Sequence, residues 1–99
     1  MLSEYQLVQN VIPHLNQEYQ AFEEVKIFSR SIDLVLKKNE EIISIEFKLS
    51  NWGKAFKQIS DYQIVSDYSY LCIPKKKLSD KTLKKLISRG IGLFSYDYD

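Results

Sequence analysis

The chain of 99 residues is poor in the residues that build several common kinds of site, with one cysteine, one histidine, three glycines and two prolines. The single cysteine, Cys72, excludes an internal disulfide and is most simply a small buried hydrophobe. One cysteine and one histidine, His14, cannot form a zinc site. The sequence also has no Ser-His-Asp set, no phosphate-binding loop and no dinucleotide fingerprint. These absences argue against zinc, serine-triad and dinucleotide-dependent enzymes.

The sequence also lacks segments that would divide the chain or place it in a membrane. No apolar run approaches the roughly 20 residues that span a bilayer, and the N-terminus has no signal-peptide core. No glycine-rich or proline-rich linker and no internal repeat interrupts it. We therefore expect one domain over residues 1–99, soluble and located in the cytoplasm.

Two segments rich in aliphatic residues, 31–38 and 41–48, predict a β-hairpin that turns at residues 39–40. With this turn the numbers of cross-strand partners sum to 79, so Asp33 faces Glu46. A three-residue turn would move Asp33 out of line. Alternation places an apolar set on one face, expected to be the core, and a mostly polar set on the other, expected to carry the chemistry. The sets are Ile32, Leu34, Leu36, Ile43, Ile45 and Phe47, against Ser31, Asp33, Val35, Lys37, Ile42, Ser44, Glu46 and Lys48.

The facing carboxylates of Asp33 and Glu46 predict a metal site. Residues opposed in an antiparallel pair have Cβ atoms about 4.5 to 5.5 Å apart, and like charges there are destabilising. A divalent cation offsets that repulsion, since Mg²⁺ takes one or two carboxylates with water and phosphate oxygens. Lys48 lies on the same face, where it can orient water or stabilise charge on a phosphate. The other interpretation is a half-solvated hairpin with surface ion pairs, which stabilise little.

Asp33 is followed by twelve residues and then by Glu46-x-Lys48. This spacing resembles the signature of the PD-(D/E)XK nuclease superfamily, the restriction-endonuclease-like fold. A second motif lies in residues 51–65, whose apolar spacing is helical and which place Gln58 and Tyr62 on one helix face. This pair resembles the Gln-x-x-x-Tyr element of the recombination-exonuclease branch, in which the Gln and Tyr lie near the site and the nucleic-acid backbone. The alternative is an exposed Gln58 and a Tyr62 in the core.

The remaining pattern predicts an α/β fold with the element order αβββαβαβ. Strands that alternate with helices indicate a layered domain with crossover connections. The order resembles the αβββαβ core of the PD-(D/E)XK fold, a mixed central sheet flanked by helices, over nearly the whole chain. Beside the hairpin and second helix, the predicted elements are a helix over 3 to about 20 that Pro13 kinks or divides, a short strand at 25–28, a strand at 67–73, a basic helix at 81–89 ended by Gly90, and a strand at 91–96.

The resemblance also implies roles for single residues at the site. Asp33 and Glu46, with the backbone carbonyl of Phe47, are expected to hold Mg²⁺ or Mn²⁺. Lys48 is expected to orient or activate water for attack on phosphorus, and Gln58, as a further catalytic residue, to position the nucleic-acid backbone together with Tyr62. In the family an acidic residue of the first helix often joins the site, and Glu4 matches in position, although the helix dipole also favours a glutamate there. The other acidic residues before the hairpin, Glu18, Glu23 and Glu24, are expected to be solvated surface charges.

Positive charge is concentrated in the second half of the chain. Residues 54–91 hold nine Lys or Arg and three Asp, whereas residues 1–53 hold five basic and eight acidic residues. Such a patch suits contact with phosphates, although a lysine-rich helix is also often just a solvated face. The expected nucleic-acid contacts are Arg30, Lys54, Lys57, Tyr62, Lys75, Lys76 and Lys77.

These features predict a minimal metal-dependent nuclease, similar to Holliday-junction resolvases and virus-type replication-repair nucleases, with DNA favoured over RNA as its substrate and the choice between them left open by the sequence. So small a domain offers little surface for gripping a duplex, so a homodimer or a partner subunit is expected. One alternative is a non-catalytic nucleic-acid-binding or assembly module of the same fold. The other is an immunity-like or antitoxin-like interaction domain whose tyrosines serve as contact anchors, namely Tyr68, Tyr70, Tyr96 and Tyr98.

Overall fold

A computed structural model describes residues 3–15, 17–49, 52–74 and 78–96 of the chain, with the backbone alone for Trp52 and Tyr96. The α/β class and the element order αβββαβαβ are confirmed, with one additional 3₁₀ turn. No helix among the described residues is long and apolar enough to cross a membrane. The elements are α1 (Glu4–Val11), the 3₁₀ turn (Ile12–His14), β1 (Gln20–Ile27), β2 (Arg30–Lys38), β3 (Glu41–Phe47), α2 (Trp52–Tyr62), β4 (Tyr68–Pro74), α3 (Asp80–Ser88) and β5 (Gly92–Tyr96).

The five strands form one mixed sheet in the order β1-β2-β3-β4-β5. β1, β2 and β3 are antiparallel neighbours, whereas β3, β4 and β5 are parallel, with α2 and α3 as the crossovers that parallel strands require. The predicted hairpin register is confirmed, since Leu34 pairs with Ile45 and Lys38 with Glu41. The last residues of β3, β4 and β5 therefore meet the β1–β2 turn at one end of the sheet, here called the carboxyl end.

The first helix is shorter than predicted. Ser3 begins it with a capping box, since the Ser3 hydroxyl accepts from the N–H of Gln6 and the Gln6 side chain accepts from the N–H of Ser3. α1 ends at Val11 because Pro13 has no N–H to donate and its ring clashes with the preceding turn. The prediction of a helix to about residue 20 is wrong, because Gln20 already begins β1 and pairs with β2.

Both faces of the sheet are covered by helices, so the hairpin face predicted to carry the chemistry is also part of the core. α1 covers one face, and α2 with α3 covers the other. Ser44 and Glu46, predicted on the chemical face, are only 1% and 2% exposed beneath α2. The cluster on the α1 side is Leu7, Val8, Leu34, Leu36, Ile45, Phe47 and Cys72, and the cluster on the α2 side is Ile32, Val35, Ala55, Phe56, Ile59, Tyr62, Leu71, Ile73, Leu86 and Ile91.

The alternation of β1 and β2 breaks where Glu24 lies opposite Asp33. The ladder pairs residues on both sides of this position but not the two themselves, and Glu24 has a φ of 50°. Leu34 packs on the α1 side whereas Ile32 packs on the α2 side, so the prediction that these two share a face is wrong. The break frees Asp33 from the pleat and lets its side chain bond to β3.

Candidate active site

Asp33 and Glu46 meet at the carboxyl end of the sheet, just beyond the last β2–β3 pair, Leu34 with Ile45. The N–H of Phe47 donates to Oδ2 of Asp33 at 2.8 Å, so the carboxylate takes the place of a backbone acceptor. The carboxyl groups of Asp33 and Glu46 lie close enough that each shifts the pKa of the other. The structure thus brings together the two residues that the register places opposite each other.

Burial gives this carboxylate pair unusual electrostatics. Burial raises the pKa of Asp33, against the opposing effect of the Phe47 hydrogen bond. Burial, followed by the negative charge of Asp33, raises the pKa of Glu46 to about 8. Lys48 opposes the rise, with its Nζ 3.6 Å from Oε2 of Glu46 and its side chain 13% exposed. Without a metal, the Glu46 carboxyl therefore holds its proton more tightly than an ordinary glutamate does, because its pKa is raised.

Tyr62 lies behind the carboxylates and not on the surface. It is 0% exposed, and its hydroxyl lies 3.0 Å from the carbonyl oxygen of Ser31 and 3.2 Å from Oε1 of Glu46. Burial and then the Glu46 charge raise the pKa of the phenol. The prediction that Tyr62 contacts nucleic acid is therefore wrong, because α2 packs this side chain into the core against the sheet.

Gln58 lies one helical turn before Tyr62. Because Tyr62 reaches Glu46, Gln58 lies about 6 Å farther along the helix axis, towards the carboxyl end of the sheet. Its Oε1 is buried and has no hydrogen-bond partner among the described residues. A buried acceptor without a partner calls for a ligand or water. Lys54 and Lys57, nearer the start of α2, are exposed.

The opposite wall of the site comes from α1. Oε2 of Glu4 accepts from the N–H of Leu49 at 3.2 Å, and the Glu4 charge adds to the rise in the pKa of Asp33. Glu4 and Asp33 line a cavity of about 230 Å³. Glu23 and Glu24 are exposed, as expected, yet they line this same cavity together with Val8 and Tyr5. Tyr5 is 63% exposed, and no motif in the sequence predicts that it lines the site.

Other predicted contacts are placed away from the carboxylates. Arg30 pairs with Asp61 on α2, with Nε 2.6 Å from Oδ2, so its guanidinium is already engaged. Lys75, Lys76 and Lys77 lie outside the described residues. Of the predicted tyrosine anchors, Tyr68 is 52% exposed, whereas Tyr70 is half-buried and stacks on Phe94; Tyr98 and the side chain of Tyr96 lie outside the described part.

The donor set suits a hard cation. Among the described residues no three His, Cys, Asp or Glu side chains converge into a metal site by themselves. The half-buried Asp33 and the buried Glu46, both with raised pKa values, are nevertheless the kind of oxygen donors that Mg²⁺ uses together with water, carbonyl and phosphate oxygens. The chemistry of these two donors therefore fits Mg²⁺ or Mn²⁺.

No protein-family model and no curated protein sequence matches the chain, but several solved structures do. A repair endonuclease from Pyrococcus abyssi has a TM-score of 0.72 at 14% identity, over 98% of this chain and 48% of its own. EndoMS in complex with double-stranded DNA has a TM-score of 0.71 at 16% identity, over 96% and 44%. A protein of unknown function, AF1548, has a TM-score of 0.69 at 16% identity, over 97% and 58%.

These similarities define the class of the fold. The chain has a restriction-endonuclease-like nuclease fold, the one that the Asp33, Glu46 and Lys48 spacing predicts. At such low identities the likeness concerns the fold alone. The chain spans about half the length of these proteins.

Proposed function

We propose that this chain is a metal-dependent nuclease domain that hydrolyses phosphodiester bonds of nucleic acid, with DNA as the favoured substrate. The observation that carries the proposal is the pair of half-buried Asp33 and buried Glu46, with the Lys48 ammonium 3.6 Å from Glu46. A restriction-endonuclease-like fold holds these groups at one end of its sheet. Structural neighbours are named as a repair endonuclease and as a complex with double-stranded DNA, which supports the same reading.

In this proposal Asp33 and Glu46, with the carbonyl oxygen of Phe47, hold Mg²⁺ or Mn²⁺. The metal, when bound, polarises the phosphoryl oxygen and neutralises developing charge. Lys48 orients the attacking water and stabilises charge on the phosphate. Tyr62 fixes the Glu46 carboxylate, and the unpartnered Oε1 of Gln58 accepts a hydrogen bond from water.

Substrate binding in this proposal depends on charge at the edges of the site. Lys54 and Lys57 are exposed on α2 and supply phosphate contacts that position the backbone without specifying sequence. Arg30 contributes such a contact only if it leaves Asp61. A homodimer or partner subunit extends the surface that grips the nucleic acid.

The second candidate is a non-catalytic nucleic-acid-binding module of the same fold. The burial of Glu46 favours it, since 2% exposure leaves a metal or water little access to this carboxylate. The two functions differ in what the carboxylates do, because a binding module does not need them.

A cleavage assay with Mn²⁺ or Mg²⁺ separates the two candidates. Linear, branched and single-stranded DNA, and RNA, are incubated with the wild type, Glu46→Gln, Lys48→Ala and the control Lys37→Ala, which changes an exposed lysine of β2. A nuclease cuts at least one substrate, loses about 10²-fold or more with Glu46→Gln or Lys48→Ala, and keeps its activity with Lys37→Ala. Binding without cleavage, unchanged by all three substitutions, supports the module instead.

A further inference from the structure

The tip of the β1–β2 hairpin carries a phenylalanine in an unusual place. Phe28 and Ser29 form a two-residue turn that Ile27 and Arg30 close. Phe28 has a φ of 52° and is 72% exposed. A positive φ strains a bulky side chain, and glycine or asparagine is usual in such turns. Phe28 therefore strains the backbone, and its exposed ring gains little from burial to offset that strain.

The second hairpin of the chain shows the usual solution. Its turn places Asn39 at a φ of 55°, a conformation that asparagine tolerates. Strained residues that persist in a fold are concentrated at functional sites. The contrast between Asn39 and Phe28 indicates that the ring at residue 28 serves a purpose other than stability.

The hairpin tip stands beside the candidate site on a firm base. Arg30 is bound to Asp61, and the carbonyl of Ser31 accepts from Tyr62, so α2 holds the start of β2 through two contacts. Phe28 follows Glu24, the residue opposite Asp33, by four residues. At about 3.3 Å per residue, Phe28 therefore lies roughly 13 Å from Asp33 along the hairpin, past the carboxyl end of the sheet.

We propose that Phe28 is a base-stacking residue that receives an unpaired base of the nucleic acid about four nucleotides from the phosphate at Asp33 and Glu46. Stacked bases advance about 3.4 Å per nucleotide along a strand, which matches the distance to the tip. Every base has a π-face, so an aromatic platform binds single strands without a sequence requirement. The inference rests on the proposed function and deepens it, because it specifies a substrate with unpaired or frayed bases beside the cleaved bond.

Binding measurements with matched variants test the role of Phe28. The affinities of the wild type, Phe28→Ala, Phe28→Trp and Ile87→Ala for single-stranded DNA, forked DNA and blunt duplex of one sequence are measured by fluorescence anisotropy in EDTA. Ile87, 78% exposed on α3, controls for the loss of any exposed apolar side chain. We expect Phe28→Ala to weaken binding to single-stranded and forked DNA on the order of tenfold and binding to duplex less than about twofold. Phe28→Trp keeps the affinity, because tryptophan also stacks, and Ile87→Ala leaves it unchanged.

A second variant separates stacking from folding. Phe28→Asn removes the ring but suits the positive φ, so its melting temperature should equal or exceed that of the wild type while its affinity for forked DNA falls as in Phe28→Ala. A 2-aminopurine base placed at successive positions should be quenched most strongly about four nucleotides from the cut in the wild type, and this maximum should be absent in Phe28→Asn.

The outcomes distinguish this inference from the proposed function. If the wild type cuts and binds DNA but Phe28→Ala binds forked DNA equally well, or loses equal affinity for duplex, stacking at Phe28 is wrong and the nuclease stands. If the wild type neither binds nor cuts any nucleic acid, both are wrong. A change of oligomeric state in Phe28→Ala at unchanged DNA affinity assigns the ring to a protein contact and overturns the inference.

Discussion

The hydroxyl of Tyr62 lies 3.2 Å from Oε1 of Glu46 and 3.0 Å from the carbonyl oxygen of Ser31, so one buried phenol joins α2 to both strands of the carboxylate pair. Tyr62 therefore contacts the site from within the core and does not face solvent. The bond to Glu46 leaves Oε2 facing Lys48, which places the second carboxylate oxygen beside the ammonium group.

Tyr62→Phe should therefore weaken metal binding more than it weakens the fold. The substitution leaves Oε1 of Glu46 without its donor, and a buried group that loses its partner costs about 1 to 3 kcal/mol. We expect the Mn²⁺ concentration for half-maximal cleavage to rise several-fold, with activity recovering at high Mn²⁺. Tyr68→Phe, at a half-exposed tyrosine, is the control. An unchanged Mn²⁺ dependence in Tyr62→Phe contradicts the positioning role.

Divalent metal should stabilise the wild type through Asp33 and Glu46. Binding at a hundred times the dissociation constant adds about 2.7 kcal/mol to the free energy of unfolding. We expect Mn²⁺ to raise the melting temperature of the wild type but not of Glu46→Gln. The matched control, Glu40→Gln at the exposed β2–β3 turn, should respond like the wild type. An equal metal response in Glu46→Gln shows that metal binds elsewhere.

The stability of the metal-free protein should fall as the pH rises from about 5 to about 8. The pKa of Glu46 is about 8 when folded and 4.5 in its ordinary state, so the folded protein binds more protons between these values and unfolding becomes easier as they leave. The raised pKa of Asp33 acts in the same direction. Urea denaturation should give Glu46→Gln a higher free energy of unfolding than the wild type, and this difference should increase with pH. A difference that does not depend on pH argues against ionisation of Glu46 as its cause.

Gly92→Ala should destabilise the sheet edge. A Cβ at Gly92 would lie 2.2 Å from Cδ1 and Cε1 of Tyr70, whose ring stacks on Phe94 at 4.5 Å. Forced repacking of this kind costs about 1 to 3 kcal/mol. In a Tyr70→Ala background, Gly92→Ala should lower the free energy of unfolding much less, and urea denaturation of the single and double variants measures this difference. Gly53→Ala in α2, where a Cβ meets nothing within 4 Å, should instead stabilise by up to about 1 kcal/mol.

The β2–β3 hairpin could be predicted because its signals are local. Asn39 suits the positive φ of the turn, and the number of turn residues decides which residues face each other. The start of β1 could not be predicted in this way, since its first residues are all exposed and show no alternation. Its start depends on pairing with β2, a contact between residues far apart in the chain.

The sequence by itself determined three things: the register that places Asp33 opposite Glu46, the position of Lys48 beside them, and the order of the elements. These follow from turn length and from the periods of strands and helices, which neighbouring residues specify. Only the tertiary structure decided that α2 buries Glu46, that Tyr62 bonds it from the core, that Ile32 changes faces and that Phe28 stands exposed near the site. Each of these depends on which surfaces pack together and on the break at Glu24 and Asp33, and burial arises from contacts that no local pattern contains.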